Sequence, residues 1–128
     1  MKYRILIIYL SLLATTTIVA QKSNYKNTNF KPPLDIPLYL SGTFGELRSN
    51  HFHSGIDIKT QGAEGKSVRS IENGWVSRIN ISTGGYGKAI YITHYNGLVS
   101  VYGHLSRFED SIQQIVIKKQ YSRESFTT

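Results

Sequence analysis

Residues 34–104 form a series of short β-branched and aromatic segments separated by Gly, Asn and Ser, and this pattern limits the possible fold most. Two such segments, residues 89–94 ("AIYITH") and 98–104 ("LVSVYGH"), flank Asn96-Gly97, a pair that favours a two-residue hairpin turn. Asn73-Gly74 predicts another hairpin between "SVRSI" and "WVSRI". The pattern therefore predicts an antiparallel all-β domain.

One segment near the C-terminal end has a different period. In residues 108–120 ("FEDSIQQIVIKKQ"), Ile112, Ile115 and Val116 fall at helical spacing, and acidic residues precede lysines as the helix dipole favours. The segment predicts a single helix. Residues 82–87 ("STGGYG") read as a glycine-rich loop between strands.

The first residues have the layout of a secretory signal peptide. Lys2 and Arg4 precede an apolar run at residues 5–14, and Ala20 offers a small residue at a cleavage point. The run is shorter than the roughly 20 apolar residues of a membrane span, so no stable span is expected after cleavage. We expect a signal peptide at residues 1–20, a polar linker at 21–33, a domain at 34–128, and export to the periplasm or the cell surface.

Composition restricts how this domain is stabilised and what it meets. The chain has no cysteine, so an exported domain must depend on its core or on a metal rather than on disulfides. Without Lys2 and Arg4 the formal charge falls from +7 to +5, which still favours an anionic partner. Export argues against nucleic acid and favours an anionic wall polymer.

The stretch "NHFHSGIDIKT", residues 50–60, contains candidate metal ligands. Zinc binds imidazole nitrogen and carboxylate oxygen, and two pairs are possible: His53 with Asp57, or His51 with His53. His51 and His53 are two residues apart on an extended segment and would point the same way. Spacing alone leaves the choice between the pairs open.

The residues around Asp57 favour a strand after a turn. Ser54-Gly55 interrupts any helix, and alternation would turn Ile56 and Ile58 to the core and Asp57 to the other side. A carboxylate between two buried isoleucines needs a partner for its charge, and a metal would supply one. The same alternation puts Ser100, Tyr102 and His104 on one face of a later strand, where a histidine suits a groove.

Four ordered segments of the sequence resemble motifs of one family. They are "GTFGELRSNHFHSGIDI", "GKSVRSIENGWVSRI", "GGYGKAIYITHYNG" and "VSVYGHLSRF". They are similar to the "H-x-G-x-D", "G-x-V", "G-Y-G" and "Y-A-H-L" motifs of the lysostaphin-like, LytM-type zinc metallopeptidases, which cleave peptidoglycan. The resemblance covers residues 38–108 and implies an antiparallel β-sheet groove domain.

The resemblance also implies roles for single residues. His53 and Asp57 match the family's zinc ligands, and His104 matches an active-site histidine. His51 falls just before the first motif, which implies a groove-wall or substrate-binding position, and Tyr86 in the glycine-rich loop would line the same groove. The implied cofactor is Zn²⁺, and the implied partners are peptidoglycan peptides.

The sequence departs from the family's pattern after His104. The family's third ligand and second active-site histidine lie in an "H-L-H" element, and no histidine follows His104 here. We therefore expect a C-terminally truncated, incomplete domain whose activity is in doubt. The alternatives are an inactive LytM-type module that binds or regulates cell-wall enzymes, and a non-functional fragment.

Overall fold

The computed structural model describes residues 28–127, which form two antiparallel sheets and one helix. The elements are β1 (Leu40–Gly42), β2 (Asp57–Ile58), β3 (Gly74–Ile81), β4 (Lys88–His94), β5 (Val99–Tyr102) and α1 (Asp110–Arg123). The predicted all-β class with one helix near the C-terminal end is confirmed. The predicted signal peptide and most of the predicted linker lie outside the described residues. Within residues 28–127, no helix has the length and apolar character that a membrane crossing requires.

The larger sheet has the order β3-β4-β5. The glycine-rich loop joins β3 to β4, with Ile81 opposite Lys88 at the start of the pairing. The β4–β5 hairpin turns at Asn96-Gly97 as the sequence predicts, and Gly97 has a φ of 85°. The amide of His94 donates to the Leu98 carbonyl across this turn at 2.8 Å.

The hairpin predicted at Asn73-Gly74 is wrong. Gly74 begins β3, and residues 59–73 before it contain no strand that could form the other half of a hairpin. Residues 69–71 instead lie beside residues 31–33 and share two backbone hydrogen bonds of 2.8 and 2.9 Å with them. A Cβ at position 74 would lie 2.3 Å from the Thr93 carbonyl oxygen. The glycine therefore permits a close approach of two strands, and does not form a turn.

The core lies between the helix and one end of the larger sheet. Ile81, Phe108 and Val116 are buried together, and partly buried side chains surround them. These are Ile79, Ile90, Leu105 and Ile112. Val116 and Ile112 thus follow the helical period in the sequence, whereas Ile115 is 64% exposed.

The helix begins with a side-chain cap. The Glu109 carboxylate accepts hydrogen bonds from the Ser111 hydroxyl and from the Ser111 N–H, the latter at 3.0 Å. Both bonds favour the ionised acid, the hydroxyl bond most, and lower the pKa of Glu109 from its ordinary value. The stabilising effect of this cap is therefore present at neutral pH and is lost as the pH falls through the lowered pKa.

A buried histidine connects the chain before β3 to β5. His94 is 1% exposed, and its Nδ1 lies 3.1 Å from the Asn73 carbonyl oxygen while its Nε2 lies 2.9 Å from Ser100 Oγ. Ser100 Oγ lies 3.1 Å from the Tyr102 hydroxyl, which accepts the Ile71 N–H at 2.9 Å. Both nitrogens of the His94 ring are thus engaged within the protein, as expected of a structural histidine.

Removing the Tyr102 hydroxyl should destabilise the fold. In Tyr102→Phe the partly buried Ile71 N–H loses its acceptor, so we expect the free energy of unfolding to drop by about 1–3 kcal/mol. Urea denaturation followed by tryptophan fluorescence measures this change. Tyr95→Phe is the matched control, because Tyr95 is 80% exposed and its change should stay within about 0.5 kcal/mol.

Candidate metal centre

A short hairpin presents His53. Leu47 pairs with Phe52 in an antiparallel bridge, and the His53 N–H donates to the Glu46 carbonyl at 2.8 Å. Asp57 lies at the start of β2, opposite Gly42 of β1. The turn between the hairpin and β2 brings the two side chains together, which agrees with the prediction that Ser54-Gly55 separates an extended segment from a strand.

The ring of His53 is held by a backbone carbonyl. His53 Nδ1 lies 3.0 Å from the Thr43 oxygen, which can only accept a hydrogen bond, and 3.3 Å from Arg48 Nη2, which can only donate one. Because the contact to the Thr43 oxygen is the shorter, we assign the proton to Nδ1. The opposite tautomer would turn a lone pair toward that oxygen. His53 Nε2 lies 3.3 Å from Asp57 Oδ1. With the proton on Nδ1, His53 Nε2 and Asp57 Oδ1 are two electron-pair donors that face each other with no proton between them.

This pair fits a bound zinc ion. Two donors bound at about 2.0–2.2 Å to one tetrahedral zinc are roughly 3.3–3.5 Å apart, and the observed separation of His53 Nε2 and Asp57 Oδ1 is 3.3 Å. A ligating histidine usually donates its other N–H to a carbonyl or carboxylate, as His53 does to Thr43. Residues 28–127 contain no group of three or more His, Cys, Asp or Glu side chains placed to hold a metal. The described residues thus offer two ligands.

Arg48 completes the cluster, and the sequence analysis did not single it out. Its Nη2 donates to Asp57 Oδ2 at 2.7 Å and lies 3.3 Å from Glu46 Oε2. The guanidinium holds one carboxylate oxygen, which leaves Oδ1 turned toward His53. A Cβ at Gly42 would lie 2.4 Å from both Arg48 Nη2 and Asp57 Oδ2, so a side chain there would displace this ion pair.

The contacts of Asp57 correct one expectation. Ile58 is half-buried, but Ile56 is 55% exposed, so Asp57 does not lie between two core isoleucines. Ile56 precedes a strand of only two residues, which pairs with β1 alone. Arg48 forms an ion pair with Asp57 and balances its charge within the protein. Only the pairing of the hairpin brings Arg48 to Asp57, and no sequence motif signals it.

The structure places the other predicted site residues, His51, Tyr86 and His104, as follows. His51 is exposed, with Nδ1 2.6 Å from Asn50 Oδ1, and it does not form a three-ligand group with His53 and Asp57. His104 follows β5, is exposed, and has a left-handed φ of 55°. Tyr86 contacts the neighbour of His53 and also His104. Its hydroxyl is 2.7 Å from Ser54 Oγ, and its ring centroid is 6.5 Å from that of His104.

NMR spectra can show which ring nitrogen of His53 carries the proton. We expect long-range ¹H–¹⁵N correlation spectra of the metal-free protein, at a pH where His53 is neutral, to show a proton on Nδ1 and none on Nε2. His53→Ala identifies the resonances. A proton on Nε2 of the neutral ring would contradict the arrangement, because Asp57 Oδ1 would then accept a hydrogen bond instead of facing a lone pair.

Comparison with known proteins identifies the family of the chain. The model of peptidase family M23 matches residues 51–121, more than half of the chain. The matched range includes the histidine–aspartate pair, the glycine-rich loop and the "YGH" strand end. No curated protein and no solved structure matches the chain. The chain belongs to peptidase family M23, the family of the LytM-type peptidases.

Proposed function

We propose that this protein is a zinc-dependent endopeptidase that cleaves the peptide bridges of peptidoglycan outside the cytoplasm. Membership of family M23 supports a peptidase of the peptidoglycan-hydrolase type at the family level. The observation that supports the zinc site is the facing pair of His53 Nε2 and Asp57 Oδ1, 3.3 Å apart. The net charge, +5 without Lys2 and Arg4, would favour approach to an anionic wall.

His53 and Asp57 would hold the metal through Nε2 and Oδ1. Zinc bound there would polarise the scissile carbonyl and lower the pKa of an attacking water. Thr43 and Arg48 keep the two donor atoms aimed at one point before binding, so little reorganisation is needed. Catalytic zinc sites generally have three protein ligands, so the proposal requires a donor in addition to the two that the described residues bring together.

His104 would act on the proton of the attacking water. It is an exposed imidazole beyond the end of β5, and a neutral ring nitrogen can accept that proton and return it to the leaving amine. Its protonated form could instead donate to the oxyanion. Tyr86 and its glycine-rich loop would form a wall of the substrate groove, and His51 would extend that wall.

A second candidate function is a non-catalytic module that binds other cell-wall enzymes. The observation that favours it is the number of ligands. Residues 28–127 contain no third His, Cys, Asp or Glu placed to hold a metal together with His53 and Asp57. The zinc content of the purified protein distinguishes the candidates. One tightly bound zinc per chain favours the enzyme, and a metal-free protein that binds wall enzymes favours the module.

Zinc affinity tests the choice of ligands. We expect His53→Ala and Asp57→Asn each to weaken zinc binding at least about tenfold, because each removes a donor atom. Competition with a chromophoric chelator measures the affinity. His51→Ala is the matched control, since His51 lies two residues away and bonds to Asn50. An equal loss in His51→Ala would assign the metal to the His51–His53 pair.

Cleavage tests the reaction. A chain extended with a family-type "H-L-H" segment should cleave muropeptides and should lose this activity in the presence of a chelator. His104→Ala in that chain should lower kcat by about 10²–10⁴-fold with unchanged zinc affinity, since it removes a proton acceptor and no ligand. Cleavage that persists in chelator, or no cleavage in a zinc-loaded chain, contradicts the proposal.

A further inference from the structure

The two parts of the proposed site belong to separate pieces of the fold. His53 and Asp57 lie with β1 and β2, whereas His104 follows β5 of the larger sheet. In the described part, no Cα atom of β1 or β2 lies within 8 Å of a Cα atom of β3, β4 or β5. A contact outside the strands must therefore set the position of His104 relative to the His53–Asp57 pair.

The hydrogen bond between Tyr86 and Ser54 supplies this contact. The Tyr86 hydroxyl lies 2.7 Å from Ser54 Oγ. Among the described residues, this is the only hydrogen bond that joins residues 38–66 to residues 67–127. Ser54 directly follows His53, so the bond holds the turn that carries the first ligand.

Tyr86 also contacts His104 in two independent ways. Its carbonyl oxygen accepts the His104 N–H at 2.8 Å. Its ring meets the His104 imidazole edge-on, with centroids 6.5 Å apart and an angle of 66° between the rings. One residue therefore contacts both the turn after His53 and the backbone and ring of His104.

The backbone around His104 is built to receive Tyr86. A Cβ at Gly103 would lie 2.9 Å from Cδ1 of Tyr86, so the aromatic ring rests directly on the glycine. His104 itself has a φ of 55°, a conformation that non-glycine residues keep only where their surroundings fix it. The bond to the Tyr86 carbonyl and the bond from the Leu105 N–H to the Lys88 carbonyl fix it here.

We propose that Tyr86 is a positioning residue, which uses its hydroxyl, ring and carbonyl to set the separation between the His53–Asp57 pair and His104. The consequence for catalysis rests on the function proposed above, because a proton acceptor displaced by about 1 Å can cost about 10²-fold in rate. The linkage itself is a property of the metal-free protein. This role differs from substrate contact, since the Tyr86 hydroxyl is engaged by Ser54.

NMR of the metal-free, full-length protein tests the linkage. We expect Ser54→Ala and Tyr86→Phe each to speed amide exchange of His104 by about two- to tenfold relative to Ile92 in β4. Both should also shift the His104 ring resonances by similar amounts, because either change frees the Tyr86 ring. The double variant should show no further change. Tyr121→Phe is the control, with Tyr121 81% exposed on the helix.

Gly103→Ala provides a second, independent test. Its new Cβ should displace the Tyr86 ring and shift the His104 resonances, whereas Gly84→Ala in the same loop meets no atom within 4 Å and should not. If Gly103→Ala does not fold, the Ser54 and Tyr86 variants still decide. Unchanged His104 exchange and ring shifts in Ser54→Ala would overturn the proposal. Neither readout needs bound metal, so an inactive protein still tests the linkage separately from the proposed function.

Discussion

The candidate site depends on two electron-pair donors that face each other across 3.3 Å, His53 Nε2 and Asp57 Oδ1. Without a cation or a shared proton this arrangement is electrostatically unfavourable, and two neighbours hold it in place. The Thr43 carbonyl accepts from His53 Nδ1 in the assigned tautomer, and the Arg48 guanidinium fixes the rotation of the carboxylate. Arg48 also offsets part of the negative charge of Asp57 in the metal-free protein. In the assigned tautomer, this geometry is the basis of the proposed cation site.

The remainder of the fold holds these groups with little buried apolar surface. Only five apolar side chains of the described residues are buried, namely Leu34, Ile81, Ala89, Phe108 and Val116. Several large apolar side chains on the larger sheet stay exposed, including Trp75 and Val99. The apolar core is therefore thin for a described part of this length. The hydrogen bonds from His94 through Ser100 to Tyr102 link parts of the larger sheet. The Tyr86–Ser54 hydrogen bond joins the loop between β3 and β4 to the residue after His53.

The sequence predicted the elements whose signals are local. The Asn96-Gly97 hairpin and the helix follow from turn chemistry and from a 3.6-residue period, and both occur with small differences in their bounds. The Asn73-Gly74 hairpin failed because the same dipeptide serves a different purpose there. Gly74 makes room for the Thr93 carbonyl, and a close approach between strands leaves no local pattern in the sequence. The exposure of Ile56 was missed for a similar reason, since it depends on how few strands surround β2.

At the site, too, the sequence predicted the residues with a local motif and missed those joined by long-range contacts. The grouping of His53 with Asp57 came from a motif, and the structure brings these two side chains together. Arg48 was missed because it reaches Asp57 only through the hairpin pairing and the space left by Gly42. The contact between Tyr86 and Ser54 spans 32 residues and could not be inferred from spacing.

Zinc-edge anomalous diffraction from crystals of the zinc-treated protein tests the central claim most directly. The expected result is one strong anomalous peak between His53 Nε2 and Asp57 Oδ1, with Arg48 still bonded to the other carboxylate oxygen. A peak beside His51, or zinc bound only at scattered surface positions while the pair stays empty, would contradict the assignment of these two residues as the metal ligands.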